Sequence, residues 1–234
     1  MKIENAVRER IPDDGKHIWG FADLTGMLHP RFQGYDYGIV IGKKLDDSIV
    51  DSVINGPTIE YYNLYHDTNN YLAGLVKDLA EDLRAAGIKS LALNPTTSDV
   101  YRANDYDRTL RQHFSHKMVA TRAGLGWIGK TDLFISKKWG PRLRLASVLV
   151  DYPLKPLNPP IDKSRCGKCR LCVDACPAQA ATGQLWNIHV DRDQFYNVRK
   201  CRETINRLTL ERIGKDERIC GICVSACPVG QSSK

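Results

Sequence analysis

The chain has 234 residues, 42% hydrophobic and 26% charged, which gives room for one large domain plus a small one with a real core. Its longest apolar runs are about half a dozen residues, far short of the ~20 needed for a membrane-spanning helix. The charged N-terminus MKIENAVRERIPDD has no apolar signal core, so a cytoplasmic protein with no membrane partner is expected. The formal charge is +7, but eight cysteines qualify it. If they ligate two cubane clusters, each about −2 when oxidised, the holoprotein sits near +3. The basic balance then offsets buried cluster charge and does not single out nucleic acid as a partner.

In chain order, YGIVIG (37–42) reads as a buried strand between glycines. EYYNLYHDTNNY follows, clustering Tyr61, Tyr62, Tyr65 and His66, where a phenol or imidazole could donate a proton. Aromatic packing at a helix entry is the simpler reading. Residues 68–86 set Leu72, Leu75, Val76, Leu79 and Leu83 on one helical face, with Thr68 or Asn69 as cap and Gly87 as stop. IKSLALN (88–94) reads as a strand, RQHFSHKMVATRA (111–123) as helical, and LFIS (133–136) and RLRLASVLVD (142–151) as strands. The segment DYPLKPLNPPIDKSR then carries four prolines and no periodicity. The expected division is an α/β domain at 1–151, a Pro-rich linker at 152–165 and a cysteine-rich domain at 166–234.

AGLGWIGKT (123–131) fits two nucleotide-binding patterns, G-x-G-x-x-G and G-x-x-x-x-G-K-[ST]. A phosphate loop needs a strand before it and a helix after it, so that amides at the helix start face the phosphates. Here a helical segment precedes and a strand-like one follows, so neither ATP nor NAD is expected to bind. The glycines serve either a helix-to-strand turn or a ligand lying close to the backbone.

Cys166, Cys169, Cys172 and Cys176-Pro177 form the C-x2-C-x2-C-x3-C-P run of bacterial ferredoxins, in which the fourth cysteine serves the other cluster. Cys220, Cys223 and Cys227-Pro228 echo it, and Cys201 completes the eight. The expected ligand sets are Cys166, Cys169, Cys172 and Cys227 for one 4Fe–4S cluster, and Cys176, Cys201, Cys220 and Cys223 for the other. Zinc would not call for the three-cysteine loop ending in Cys-Pro, and disulfides are disfavoured without an export signal.

With these motifs in place, KMVATRAGLGWIGKTDLFISKKWGPRLRLASVLVD (117–151), CGKCRLCVDACPAQA, the isolated Cys201 and CGICVSACP resemble the epoxyqueuosine reductases and, more distantly, the corrinoid reductive dehalogenases. The resemblance covers roughly residues 35–228. It implies an α/β (α+β) layer of the nitroreductase-like cobalamin-binder type followed by a ferredoxin-like di-cluster domain. It further implies a base-off cobalamin near one cluster, with Gly124, Leu125, Gly126, Trp127, Gly129 and Lys130 lining its pocket.

The function implied is an iron–sulfur oxidoreductase of anaerobic type, passing electrons through both clusters to a cobalamin or to a substrate beside the first domain. The alternative is a cobalamin-free electron-transfer protein or reductive activator. A ferredoxin or flavodoxin is the expected electron donor, and a small molecule or corrinoid protein the expected partner. Two departures count against tRNA as substrate. The tRNA-modifying members continue into helical repeats, whereas this sequence ends seven residues past Cys227, and their catalytic Asp falls at Leu110, with Asp107 the nearest carboxylate. Tyr65, His66, Asp107 and His116 are the catalytic candidates. For His113 and His116, a surface or core role is the simpler reading.

Overall fold

The computed structural model describes residues 3–96 and 102–231. The chain packs as two units, each assembled from separated segments: residues 1–44, 67–125 and 144–160 in one, and residues 45–66, 126–143 and 161–234 in the other.

In the first unit α1 (Ile3–Arg10) leads into β1 (His17–Asp23) and β2 (Tyr37–Lys44). These strands pair antiparallel, with Trp19 opposite Ile41 and Phe21 opposite Ile39. Next in chain order come α2 (Asp47–Ser52), in the second unit, and the long α3 (Ile59–Ala85), whose residues from 67 onward belong to the first unit, as do β3 (Ser90–Leu93), the short α4 (Tyr106–Thr109) and α5 (His116–Arg122). The hairpin β4 (Gly126–Ile128) and β5 (Phe134–Ser136) precedes β6 (Leu143–Val150). The main sheet runs β1-β2-β6-β3, with β3 antiparallel to β6, so the resolved pairings belong to an α+β layer. Its core joins Phe21, Ile39, Ile41, Val148 and Val150 to Leu72, Val76, Leu79 and Leu83 of α3. Leu75 packs against this core from its edge. Spacing of three and four residues put these side chains on one face, as the sequence predicted.

The sequence misplaces the start of α3. The helix begins at Ile59, and the Thr58 hydroxyl accepts from the Tyr61 amide at 3.2 Å, the bond of an N-cap. Thr68 and Asn69 are buried inside the helix. Asn69 is occupied there by Arg144, whose Nε donates to its Oδ1 at 2.9 Å. Gly87 does end the segment, at φ +80°.

The second unit carries four further helices, α6 (Leu171–Asp174), α7 (Arg192–Phe195), α8 (Val198–Ile213) and α9 (Ile222–Ser225). One of its cores joins Leu45, Val50, Val53 and Tyr61 to Ile219 and Val224. Trp127, Ile135, Ile161 and Cys227 form another. Segments 45–66 and 126–143 therefore pack with the cysteine-rich segment, and the division does not run along the chain at residue 151. Proline and cysteine content marks that position by composition, whereas the apolar faces of α2, α3 and the hairpin decide the packing. Among the described residues no helix is long and apolar enough to cross a membrane.

Candidate metal centre

The duplicated cysteine motif folds into two matching turns. Cys172 lies in α6 and Cys223 in α9, each a four-residue helix, and the Cys-Pro pairs Cys176-Pro177 and Cys227-Pro228 follow them. Cys201 sits in the first turn of α8, whose Asn197 side chain caps it by accepting from the Lys200 amide at 3.0 Å.

All eight thiols are without disulfides, and Cys169 is the exposed one. Their mutual influence divides them in two. Burial pushes the Cys227 thiol up to about 11, with the neighbouring Cys172, Cys166 and Cys169 adding to it. Burial likewise raises Cys220 to about 11, and there Cys201 and Cys176 are the neighbours. Cys223 is raised by burial and then by Cys220 and Cys201, with Cys172 and Cys176 behind them. This grouping resembles the two ligand sets expected from the spacing, although Cys172 of the first set also acts on Cys223.

Burial penalises the thiolate form of these cysteines, and a bound cation offsets that penalty by taking them as thiolates. Tetrahedral zinc with bonds of about 2.3 Å would draw its thiolates to about 3.8 Å apart. Among the described residues no three Cys, His, Asp or Glu side chains are gathered into such a single-ion site. A cubane, with iron at four corners, spreads its ligands more widely, and the donor set fits it.

The hairpin β4–β5 supplies the surroundings. Trp127, opposite Ile135, is buried and its indole N–H donates to Cys166 Sγ at 3.4 Å. Lys130 at the hairpin tip is buried, and its ammonium donates to the Gly167 carbonyl at 2.9 Å and the Cys169 carbonyl at 2.8 Å. Thr131 hydrogen-bonds Cys172 and lowers its thiol against the burial that raises it. Tyr196 does the same for Cys201. Tyr196 carries no motif that marks it in the sequence, and Thr131 was visible only as the end of a nucleotide pattern.

Residues 124–130 do not form an open bed for a macrocycle. Gly124 takes φ +69° after α5 and closes the expected helix-to-strand turn, and a Cβ there would strike Asn158 and Pro159. A Cβ at Gly126 would sit on the Ile135 carbonyl, and at Gly129 on the Ile135 side chain. The backbone that these glycines leave bare is filled by the chain itself. Leu125 packs near Gly20, while Trp127 and Lys130 face the cysteine loop.

The catalytic candidates scatter. Tyr65 stands edge-on to His66, whose Nε2 meets Glu217 Oε2 at 2.9 Å. Tyr62 donates to the other oxygen of Glu217 at 2.9 Å, so this group fastens the loop before Cys220 to α3. Asp107 is exposed on α4, and Leu110 follows it with φ +51°.

His116 is a structural histidine. Its Nε2 lies 2.8 Å from the Asn94 carbonyl and so carries the proton, leaving Nδ1 to accept from the Ser147 hydroxyl at 2.9 Å. Enclosure of the ring pushes its pKa down to about 4, with the Arg144 charge adding to the effect. A depressed histidine stabilises the fold fully above its unfolded value, and that contribution is lost as pH falls from about 6.5 toward 4. The contribution is on the order of 1–3 kcal/mol after discounting for partial exposure. By NMR the His116 ring should stay neutral down to about pH 5. A titration midpoint near 6.5 would contradict this environment.

The family described as a 4Fe-4S double cluster binding domain matches residues 165–230. The epoxyqueuosine reductase of Pseudomonas aeruginosa is 35% identical over 112 residues, covering 48% of this chain and 30% of that protein. The epoxyqueuosine reductase of Cyclobacterium marinum is 37% identical over 126 residues, covering 49% of this chain and 36% of that protein. The chain thus spans about a third of the length of these relatives. Among solved structures, a catabolic reductive dehalogenase in complex with 3-bromo-4-hydroxybenzoic acid shares the fold with TM-score 0.71 at 17% identity, over 98% of this chain and 31% of that one. An epoxyqueuosine reductase with an epoxyqueuosine-modified tRNA stem loop matches with TM-score 0.61 at 16% identity, over 98% of this chain and 64% of that one. The expectation that tRNA is not a substrate gains no support from these relatives. Residues 165–230 thus carry a 4Fe–4S double cluster binding domain, about half of the chain is similar in sequence to epoxyqueuosine reductases, and the fold is shared with them and with the reductive dehalogenases.

Proposed function

We propose that this protein is an iron–sulfur oxidoreductase that carries electrons through two 4Fe–4S clusters to an acceptor beside the first unit. The observation that carries the proposal is the match of residues 165–230 to a 4Fe–4S double cluster binding domain, a segment that gathers all eight cysteines, every one but Cys169 buried or half-buried. When bound, such clusters supply one-electron storage at potentials set by charge, hydrogen bonds and exposure. The residues of the chain do the rest: Trp127, Thr131 and Tyr196 orient and stabilise thiolates, and the apolar cores around Tyr61 and Ile135 exclude water.

The named relatives favour cobalamin as the acceptor, since a solved reductive dehalogenase in this fold is described as acting by B12-dependent dehalogenation. The four-stranded sheet of the first unit is in keeping with a nitroreductase-like cobalamin binder. Residues 124–130 do not fit as its bed, so no step is assigned through it. A ferredoxin or flavodoxin would be the electron donor. The test is anaerobic titration of cluster-replete protein with cobalamin, followed by the visible spectrum. Uptake of about one corrinoid per chain supports the cobalamin arm. No uptake, with clusters that still reduce and reoxidise, makes the chain an electron-transfer protein or reductive activator instead.

A further inference from the structure

The hairpin β4–β5 brings two buried donors to the loop of the first ligand set, one neutral and one charged. The neutral donor is Trp127. Its ring packs with Ile135, Ile161 and Cys227, and its N–H donates to Cys166 Sγ at 3.4 Å. A buried indole N–H needs a partner, and here that partner is a ligand sulfur.

The charged donor is Lys130, which is 4% exposed. Its ammonium donates to the Gly167 carbonyl at 2.9 Å and the Cys169 carbonyl at 2.8 Å, and it meets no carboxylate among the described residues. Both carbonyls belong to the short backbone stretch that joins Cys166 to Cys169, so the charge is fastened between two ligands of one set. A buried cation held only by neutral groups is costly unless a counter-charge lies nearby. Four thiolates on a cubane are such a counter-charge, about −2 in all when oxidised and about −3 when reduced.

The pairing of the hairpin holds both donors in place. Gly126 pairs with Ser136 and Trp127 with Ile135, and the Gly129 amide donates to the Leu133 carbonyl at 2.8 Å near the tip. Donors fixed in this way favour added negative charge without having to reorganise. An N–H on a ligand sulfur and an enclosed ammonium both stabilise the more negative, reduced form. Lys168 and Arg170 on the same loop are exposed, and water and salt screen them.

We propose that Trp127 and Lys130 set the reduction potential of the cluster on Cys166, Cys169, Cys172 and Cys227, holding it above the value its thiolates alone would give. The inference rests on the two-cluster reading above and does not depend on the identity of the acceptor. Both are positioning residues, acting on the cluster through a ligand sulfur and through charge.

The experiment is a redox titration of anaerobically reconstituted full-length protein, followed by EPR, with the second cluster as internal reference. Cys201→Ala removes a ligand of the second set, so the signal that survives in it identifies the first cluster. Lys130→Gln keeps a hydrogen-bond donor and loses the charge. It should make the first cluster about tenfold harder to reduce, about 59 mV for one electron, and leave the second nearly unmoved. Lys130→Arg keeps the charge and should stay close to native. Trp127→Phe keeps an aromatic ring without the N–H and should make the first cluster about threefold harder to reduce. A lysine that merely braced the loop would give another pattern: reduced first-cluster occupancy in Lys130→Gln, with an unchanged potential in the clusters that remain. That pattern, or native potentials in both Lys130→Gln and Trp127→Phe, overturns the proposal. If Lys130→Gln does not retain the first cluster, Trp127→Phe decides alone. A native protein that holds fewer than two clusters overturns the two-cluster reading instead.

Discussion

Arg142→Met should lower the stability of the second unit by about 3 kcal/mol and loosen iron binding with it. Arg142 is 1% exposed, and its guanidinium reaches Asp51 at 2.6 Å, Asp47 at 3.3 Å and the Ser225 carbonyl at 3.5 Å. It therefore ties α2 to the end of α9, between Cys223 and Cys227. Removing one partner of a buried ion pair costs ~3–5 kcal/mol, and the half-exposed Asp47 and Asp51 can recover some hydration, which places the loss at the lower end. Arg142→Lys retains the charge without the planar fork and should fall between the two. Urea-driven loss of the visible cluster absorption measures it. A midpoint for Arg142→Met equal to native would show that this clamp does not hold the cysteine turns.

Gly126→Val should cost on the order of 3 kcal/mol and strip the first cluster. Gly126 lies opposite Ser136 in β4–β5, and any side chain there meets the Ile135 carbonyl and the Phe134 ring. The hairpin must open to admit it. Opening moves Trp127 from Cys166 and Lys130 from the Gly167 and Cys169 carbonyls, so iron should fall by about half, from two clusters toward one. Were the segment an external ligand bed, the substitution would abolish ligand binding and spare the iron. Iron content after anaerobic reconstitution separates these outcomes, and a full complement in Gly126→Val would refute the hairpin's role.

The double-cluster segment was legible because ligand spacing is local: three thiols within seven residues followed by Cys-Pro are the cluster-binding run whatever surrounds them. Strands β2, β3, β5 and β6 and the apolar face of α3 were also legible, from runs and periodicity. The start of α3 was not, because Thr68 and Asn69 look like caps in sequence and become buried helical residues only through partners such as Arg144. Nor was β1, whose Gly20 interrupts HIWGFAD and whose place is fixed by pairing with β2. The role of AGLGWIGK was open between a turn and a ligand bed. It is resolved by neighbours distant in sequence, Asn158, Pro159, Ile135 and the carbonyls of the cysteine loop, which no local pattern reveals.

Two clusters on one hairpin-braced scaffold are the centre of this account, and a metal count with acid-labile sulfide on anaerobically purified protein tests it most directly. About eight iron and eight sulfide per chain are expected, with Cys201→Ala losing one cluster and keeping most of the other. Stoichiometric zinc in place of iron, or a chain saturated at four iron, would contradict it.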